Sequence, residues 1–307
     1  MSFTEFWQNF YNKYIGYGQY QDEITKHNTL PPNWGVFSKY HIIMSLIMIA
    51  FIVYFTYRTR KYTSKELNKA QKKIAIVMLL LELFRTIMFQ IFHIGSSSGY
   101  TYLLRFDYCN QVCLFMPIFV LLNTQTLFPF LAAVSFWGGV GVLCYPSNVW
   151  AGYGGWHILP IQSMVSHGLM VLSSINLARM FKVDLKHNFI QSAIGFGIMA
   201  SISAFFGYTR KENYMAVLDP TGLPAIQHIP SPGHYFTLIA IIELGLFLFL
   251  LMFKYLDKYV LCVDLKDEYY GKETTTNELQ KSNITLWFFR SRCNKSKRWL
   301  LYDCFII

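Results

Sequence analysis

Two residues of this 307-residue chain have side chains suited to nucleophilic chemistry and stand near the start of apolar segments: Cys109 and His167. A thiol becomes a nucleophile once a base takes its proton, and imidazole is the side chain that does so near neutral pH. Cys109 opens one uncharged segment, and His167 lies in the run Met164-Val165-Ser166-His167-Gly168-Leu169 of another. If both segments are helices entering a bilayer from one side, His167 lies roughly 12 Å down its helix at about 1.5 Å per residue, and both side chains reach the same leaflet. At that depth the natural electrophile is an acyl ester of a lipid. The rival reading is packing or hydrogen bonding inside a bundle, the usual role of an isolated His or Cys in such a segment.

Apolar helices must position these residues. A chain that is 53% hydrophobic and only 14% charged, with long uncharged runs, is not an ordinary soluble domain but an all-α polytopic integral membrane protein. A hydrocarbon core of about 30 Å takes roughly 20 helical residues. Suitable stretches begin near His41, Ile74, Cys109, Leu127, Leu159, Phe189 and Tyr235, which predicts a bundle of seven transmembrane helices. Their expected cores are residues 42–55, 74–94, 109–122, 127–144, 159–180, 189–206 and 236–253. The third is short, and Asn123-Thr124-Gln125-Thr126 turns it back into the fourth as a tight hairpin. The expected organisation is an extracytoplasmic segment 1–40, a seven-helix domain 41–258 and a cytoplasmic basic and aromatic tail 259–307.

The residues before Tyr40 contain no apolar run of signal-peptide type, so the first helix is expected to direct insertion. Arg58, Arg60, Lys61, Lys65, Lys69, Lys72 and Lys73 follow that helix; Arg179, Lys182 and Lys186 follow the fifth, and the tail is rich in Lys and Arg. A seven-helix path puts these segments on one side. The excess of basic residues makes it the cytoplasmic side, leaving the N-terminus outside the cell membrane and the C-terminus in the cytoplasm. The net charge of +10 then reports topology and attraction to anionic lipid, and nucleic acid is not an expected partner.

Ionisable residues at mid-membrane are costly and are usually paired or functional. Glu82 and Arg85, at i and i+3, can pair on one helix face, and Glu243 stands near the middle of the seventh helix. They are candidates for substrate binding, with Arg85 meeting a phosphate or carboxylate head group, and equally for a buried ion-pair network. His157, in the aromatic outer segment with Tyr153 and Trp156, is a further substrate-binding candidate, against an interfacial aromatic belt. So are Asn213 and Tyr214, ahead of a stiff loop punctuated by Pro220, Pro224, Pro230 and Pro232. The six cysteines form no CxxC and no Cys/His metal spacing; there is no phosphate-binding glycine loop and no HExxH, so neither metal nor cofactor is expected. A disulfide is the competing use of Cys109, Cys113 and Cys144, although Cys109 and Cys113, one turn apart, are poorly placed to join each other.

Over roughly residues 74–255 the chain resembles the YwaF family of bacterial multi-pass membrane proteins. The marks are Glu82 with Arg85, Cys109 with Pro117 later in its helix, Ser166-His167-Gly168-Leu169, Asn213-Tyr214-Met215, and Pro232 before Tyr235. That family is related to a human transmembrane enzyme that moves acyl chains onto ether lysophospholipids. The resemblance implies seven helices, membrane phospholipids as partners, an acyl-accepting cysteine at Cys109 and a partner base at His167. Where the family often has His or Pro beside that cysteine, this chain has Tyr108 and Asn110.

In the tail, Leu286-Trp287-Phe288-Phe289 and Trp299-Leu300-Leu301-Tyr302 flank a basic run from Arg290 to Arg298, suited to lying on an anionic lipid surface or to docking on a protein. The ending Cys304-Phe305-Ile306-Ile307 fits a prenylation pattern, which the bacterial resemblance argues against; Asn283-Ile284-Thr285 fits a glycosylation sequon, which the cytoplasmic placement argues against. The leading expectation is a lipid acyltransferase working through Cys109 and His167. A small-solute or lipid transporter and a non-catalytic membrane scaffold are the alternatives.

Overall fold

The computed structural model describes residues 37–92, 105–145, 156–181, 183–220 and 226–259, with side chains at 89–92 and 257–259 outside the description. Tyr153, the expected end of the second helix at 93–94, the sequence from 260 onward and thus nearly all of the tail lie outside the described residues. Seven α-helices and two short 3-10 turns, at Gln125–Leu127 and Tyr214–Ala216, make up the described residues, with no strand among them. The helices are α1 (Lys39–Thr59), α2 (Ser64–Phe92), α3 (Tyr108–Leu121), α4 (Phe128–Cys144), α5 (Ile158–Ala178), α6 (Leu185–Arg210) and α7 (Gly233–Tyr259). By contacts the chain parts into Met1–Lys254, which holds the bundle, and Tyr255–Ile307, described only in the last turn of α7.

Five helices are long and apolar enough to cross a membrane: Lys39–Thr59, Gln125–Cys144, Ile158–Ala178, Leu185–Arg210 and Gly233–Leu256. Of the expected seven spanning helices, five are shown on this ground among the described residues. α3 has only 14 residues, while α2 begins among lysines and carries Glu82 and Arg85 further along. The expected start of the second helix at Ile74 is also corrected, because the lysine-rich stretch that follows the first helix is itself helical from Ser64. A capping box explains this. The Thr63 backbone N–H donates to Glu66 Oε2 at 2.8 Å, and the Glu66 N–H donates to Thr63 Oγ1 at 3.3 Å. The first of these bonds, and then a bond that the Thr63 hydroxyl donates to the same Oε2 at 2.9 Å, hold the Glu66 carboxyl below its ordinary pKa.

α5 is the centre of the bundle, touching α1, α2, α3 and α4, with 78% of its span buried against 22% for α7. Its end is tied to α1 by a residue that reads in sequence as a topological charge. Arg179 is buried and donates to Thr59 Oγ1 at 3.0 Å and to the Thr59 carbonyl at 2.8 Å, so it satisfies a helix-end acceptor. Burial lowers its pKa. At the opposite end of α1, His41 Nε2 (3.0 Å) and Ser45 Oγ (2.9 Å) both meet the Leu143 carbonyl near the end of α4. The expected hairpin between α3 and α4 is present, and Asn68 Nδ2 donates to Asn123 Oδ1 within its turn at 3.0 Å.

α4 and α5 pack backbone against backbone at Gly139, which permits the approach. A methyl group there would stand 2.5 Å from the His167 carbonyl oxygen and 2.6 Å from Val171 Cγ2. Backbone cannot yield as a side-chain tip can, so Gly139→Ala forces the helices apart, with an expected loss of about 1–3 kcal/mol. Thermal unfolding in detergent should show a lowered midpoint for Gly139→Ala. Gly141→Ala, whose added methyl meets nothing within 4 Å, should match the parent protein.

Candidate functional site

Cys109 is the second residue of α3, half-buried, and its Sγ–H makes a weak contact with the Gly138 carbonyl of α4 at 3.9 Å. His167, on α5, is buried, and its backbone lies against Gly139, the next residue of α4. The two side chains most suited to chemistry therefore belong to helices that meet α4 at consecutive residues. Their resting hydrogen bonds are not to each other. His167 Nδ1 lies 2.7 Å from the Ser163 carbonyl and 3.3 Å from Ser163 Oγ. A carbonyl can only accept, so Nδ1 carries the proton and Nε2 presents its lone pair in the neutral ring. That Nε2 is buried and has no hydrogen-bond partner among the described residues.

Glu82 and Arg85 form the expected i, i+3 pair on α2: Arg85 Nε donates to Glu82 Oε2 at 3.0 Å, and Arg85 Nη2 bonds Glu82 Oε1. Side-chain exposures of 8% and 14% make this a largely desolvated pair. Asn110, the residue after Cys109, stands against both partners. With one face of its amide, Nδ2 donates to Glu82 Oε1 at 3.3 Å; with the amide turned over, its oxygen accepts from Arg85 Nη2 at 2.8 Å and Nε at 3.3 Å. Asn110 thus couples the start of α3 to the ion pair. Glu82 is also near enough to act electrostatically on Cys109, Cys113 and His167. Gln162 closes the arrangement from α5, donating to the Leu81 carbonyl at 3.2 Å and to Ser166 Oγ at 3.0 Å. Gln162 was not singled out from the sequence, although its place one turn before Ser166 was a usable signal.

The other candidates fall elsewhere. His157 is the N-cap of α5, where its Nδ1 accepts from the Leu159 N–H at 3.2 Å. Trp156 packs edge-on against Tyr40, with centroids 5.3 Å apart. Asn213 spends its amide on its own loop, donating to the Asp219 carbonyl at 2.6 Å and accepting from the N–H groups of Leu218 (2.9 Å) and Asp219 (3.0 Å). Tyr214 is buried edge-on to Phe106, just before α3. Glu243 is half-buried on α7 and makes no hydrogen bond or ion pair among the described residues. Cys109, Cys113 and Cys144 are free thiols, so the disulfide alternative does not apply among the described residues. No group of three or more His, Cys, Asp or Glu residues among them is placed to hold a metal ion.

Residues 36–256 match the model of the TMEM164 family. The chain belongs to that family. Membership in this transmembrane family, together with the apolar helices, makes it a multi-pass membrane protein. The matched span takes in every described helix of the TMEM164 bundle except the last three residues of α7. No curated protein and no solved structure matches the chain.

Proposed function

We propose that this TMEM164 family member is a cysteine-dependent phospholipid acyltransferase, with Cys109 as the nucleophile and His167 as its base. The observation that carries the reading is the unpartnered, buried Nε2 of His167, in the tautomer that accepts a proton, on a helix that meets α4 one residue from the Cys109 contact. The resemblance to the YwaF family, and through it to an acyl-transferring enzyme, supports the same assignment.

In the first half-reaction Cys109 Sγ turns from Gly138 toward Nε2 and gives it its proton. The thiolate attacks the ester carbonyl of a phospholipid; the carbon–oxygen bond breaks, and the departing lysophospholipid oxygen takes the proton back from the imidazolium. In the second, Nε2 accepts the proton of a lysophospholipid hydroxyl, whose oxygen attacks the Cys109 thioester. The carbon–sulfur bond breaks, and the thiolate recovers the proton. The first turn of α3 suits the tetrahedral oxyanion, because the Asp107 side chain makes no capping bond and leaves backbone N–H groups beside Cys109 for that charge. The Glu82–Arg85 pair borders the reacting groups through Asn110. The reading places seven spanning helices in the cell membrane, with the N-terminus outside, the reaction in the outer leaflet and the tail on the anionic cytoplasmic surface.

The test supplies purified protein with a phospholipid labelled in its acyl chain and an unlabelled lysophospholipid. Label should move to the acceptor, and rapid quenching should leave label in a hydroxylamine-sensitive bond to Cys109. Transfer without labelled protein would remove the covalent step. Neither transfer nor labelled protein, with label instead crossing a sealed bilayer, would favour the transporter, for which Glu243 on α7, without a charge partner among the described residues, is the relevant observation.

A further inference from the structure

Immediately before α3 the chain builds a second polar cluster around Phe106. The Phe106 ring stacks on Phe206 of α6, with centroids 3.9 Å apart and planes within 3°. Its backbone is fixed as well, because the Phe106 carbonyl accepts from Gln111 Nε2 at 2.9 Å and from Ser203 Oγ at 2.6 Å. Two cations surround this platform. The Arg210 guanidinium lies 4.8 Å from the Phe206 centroid and 5.1 Å from that of Phe106. Arg105 precedes Phe106 and pairs with Asp107 at 2.8 Å, with both side chains about one-third exposed. Burial works against the Arg105 charge, but Asp107, then Tyr214 and Glu212, outweigh it, and its pKa is raised.

Tyr214 is the unexplained member. Its ring packs edge-on to Phe106 at 5.9 Å, its exposure is 1%, and its hydroxyl has no hydrogen-bond partner among the described residues. A buried phenol left in that state costs stability unless something outside the protein takes its proton in a hydrogen bond. Arg105 interacts electrostatically with Tyr214, and the Phe106 ring against which Tyr214 packs lies 5.1 Å from the Arg210 guanidinium, so an anionic oxygen is the acceptor this hydroxyl would meet; phosphate oxygens suit arginine's planar donors.

We propose that the phosphate of a membrane glycerophospholipid binds here, held by Arg105 and Arg210 and accepting a hydrogen bond from the Tyr214 hydroxyl. The inference rests on the acyltransferase reading and gives it a substrate register. Arg105 lies only four residues before Cys109, and a glycerophospholipid carries its phosphate and its acyl esters on the same glycerol. A head group anchored at Phe106 would thus leave an ester to descend along the first turn of α3. Arg85, buried and paired further along the bundle, is not needed for this contact.

The experiment measures binding to full-length protein in detergent, in a Cys109→Ser background so that no turnover intervenes. Three probes are compared: a short-chain glycerophospholipid, a diacylglycerol with the same chains, and inorganic phosphate. The phospholipid should bind more tightly than the diacylglycerol, and Tyr214→Phe should weaken it about tenfold, the worth of one charge-assisted hydrogen bond, while leaving the diacylglycerol unaffected. Arg210→Gln should act in the same direction. Tyr214→Phe is the stringent variant, because it removes only an atom that the protein does not use and should not harm folding. Unchanged phospholipid binding by Tyr214→Phe would overturn the proposal. So would inorganic phosphate binding that Tyr214→Phe weakens while phospholipid and diacylglycerol bind alike, since the site would then be one for free phosphate. Loss of phospholipid binding in Tyr214→Phe, with no acyl transfer by the Cys109 protein, would leave this site standing and remove the acyltransferase reading instead.

Discussion

Cys109→Ser should lower acyl transfer by several orders of magnitude while the protein remains folded. Serine nearly preserves the shape, but its hydroxyl ionises far less readily than a thiol, and a neutral imidazole cannot make up the difference. Folding should be spared because the sulfur makes only the 3.9 Å contact with the Gly138 carbonyl, which a hydroxyl can replace. Cys113→Ala is the control. It lies one turn further along α3, its sulfur rests 3.6 Å from Met170 Sδ, and its loss should cost stability rather than turnover. His167→Ala should suppress transfer comparably, and any label that still accumulates on Cys109 in that variant would assign the histidine chiefly to the second half-reaction. Measured in parallel on labelled phospholipid, full transfer by Cys109→Ser would eliminate covalent catalysis at this residue.

The second large effect concerns folding. Removing either charge of the Glu82–Arg85 pair alone should cost about 3–5 kcal/mol, because the remaining charge stays largely buried without its partner. Glu82→Gln and Arg85→Gln should therefore both reduce the amount of monodisperse protein recovered from membranes. The double change Glu82→Gln/Arg85→Met should recover much of it, since neither charge is then left behind. Asn110 adds to the loss, as its amide bonds Glu82 in one orientation and Arg85 in the other. Should Arg85→Gln accumulate like the parent protein yet fail to transfer acyl groups, the arginine would belong to the substrate instead of the bundle.

The difference between these two sites shows where reading a sequence stops. The Glu82–Arg85 contact was legible because it is local: residues three apart on one helix are neighbours whatever surrounds them. Asn110 was legible only as a departure beside Cys109. Its attachment to α2 depends on how α3 is rotated against that helix, which no spacing within α3 specifies. Arg179 likewise reads as one more basic residue after an apolar run, and only the packing of α1 on α5 makes it the partner of Thr59.

The sequence by itself determined the all-helical class of the described residues, the approximate place of their helices apart from the start of α2, the tight turn between α3 and α4, and the identities of the thiol, imidazole and paired charges. Composition and periodicity suffice for these, since an apolar run without charges has few ways to satisfy its backbone except as helix. It also held the capping box that starts α2 at Ser64, although the lysines there invited a loop. Only the tertiary structure decided which helix faces meet. It brought the contacts of Cys109 and His167 to adjacent residues of α4, left Nε2 of His167 without a partner, turned His157 into a helix cap and buried the Tyr214 hydroxyl beside Phe106. The physical reason is that apolar helices have little sequence preference for one another. Their choice of face is made by small residues such as Gly139 and by a few buried polar bonds, and each of those acts only once its partner helix has arrived.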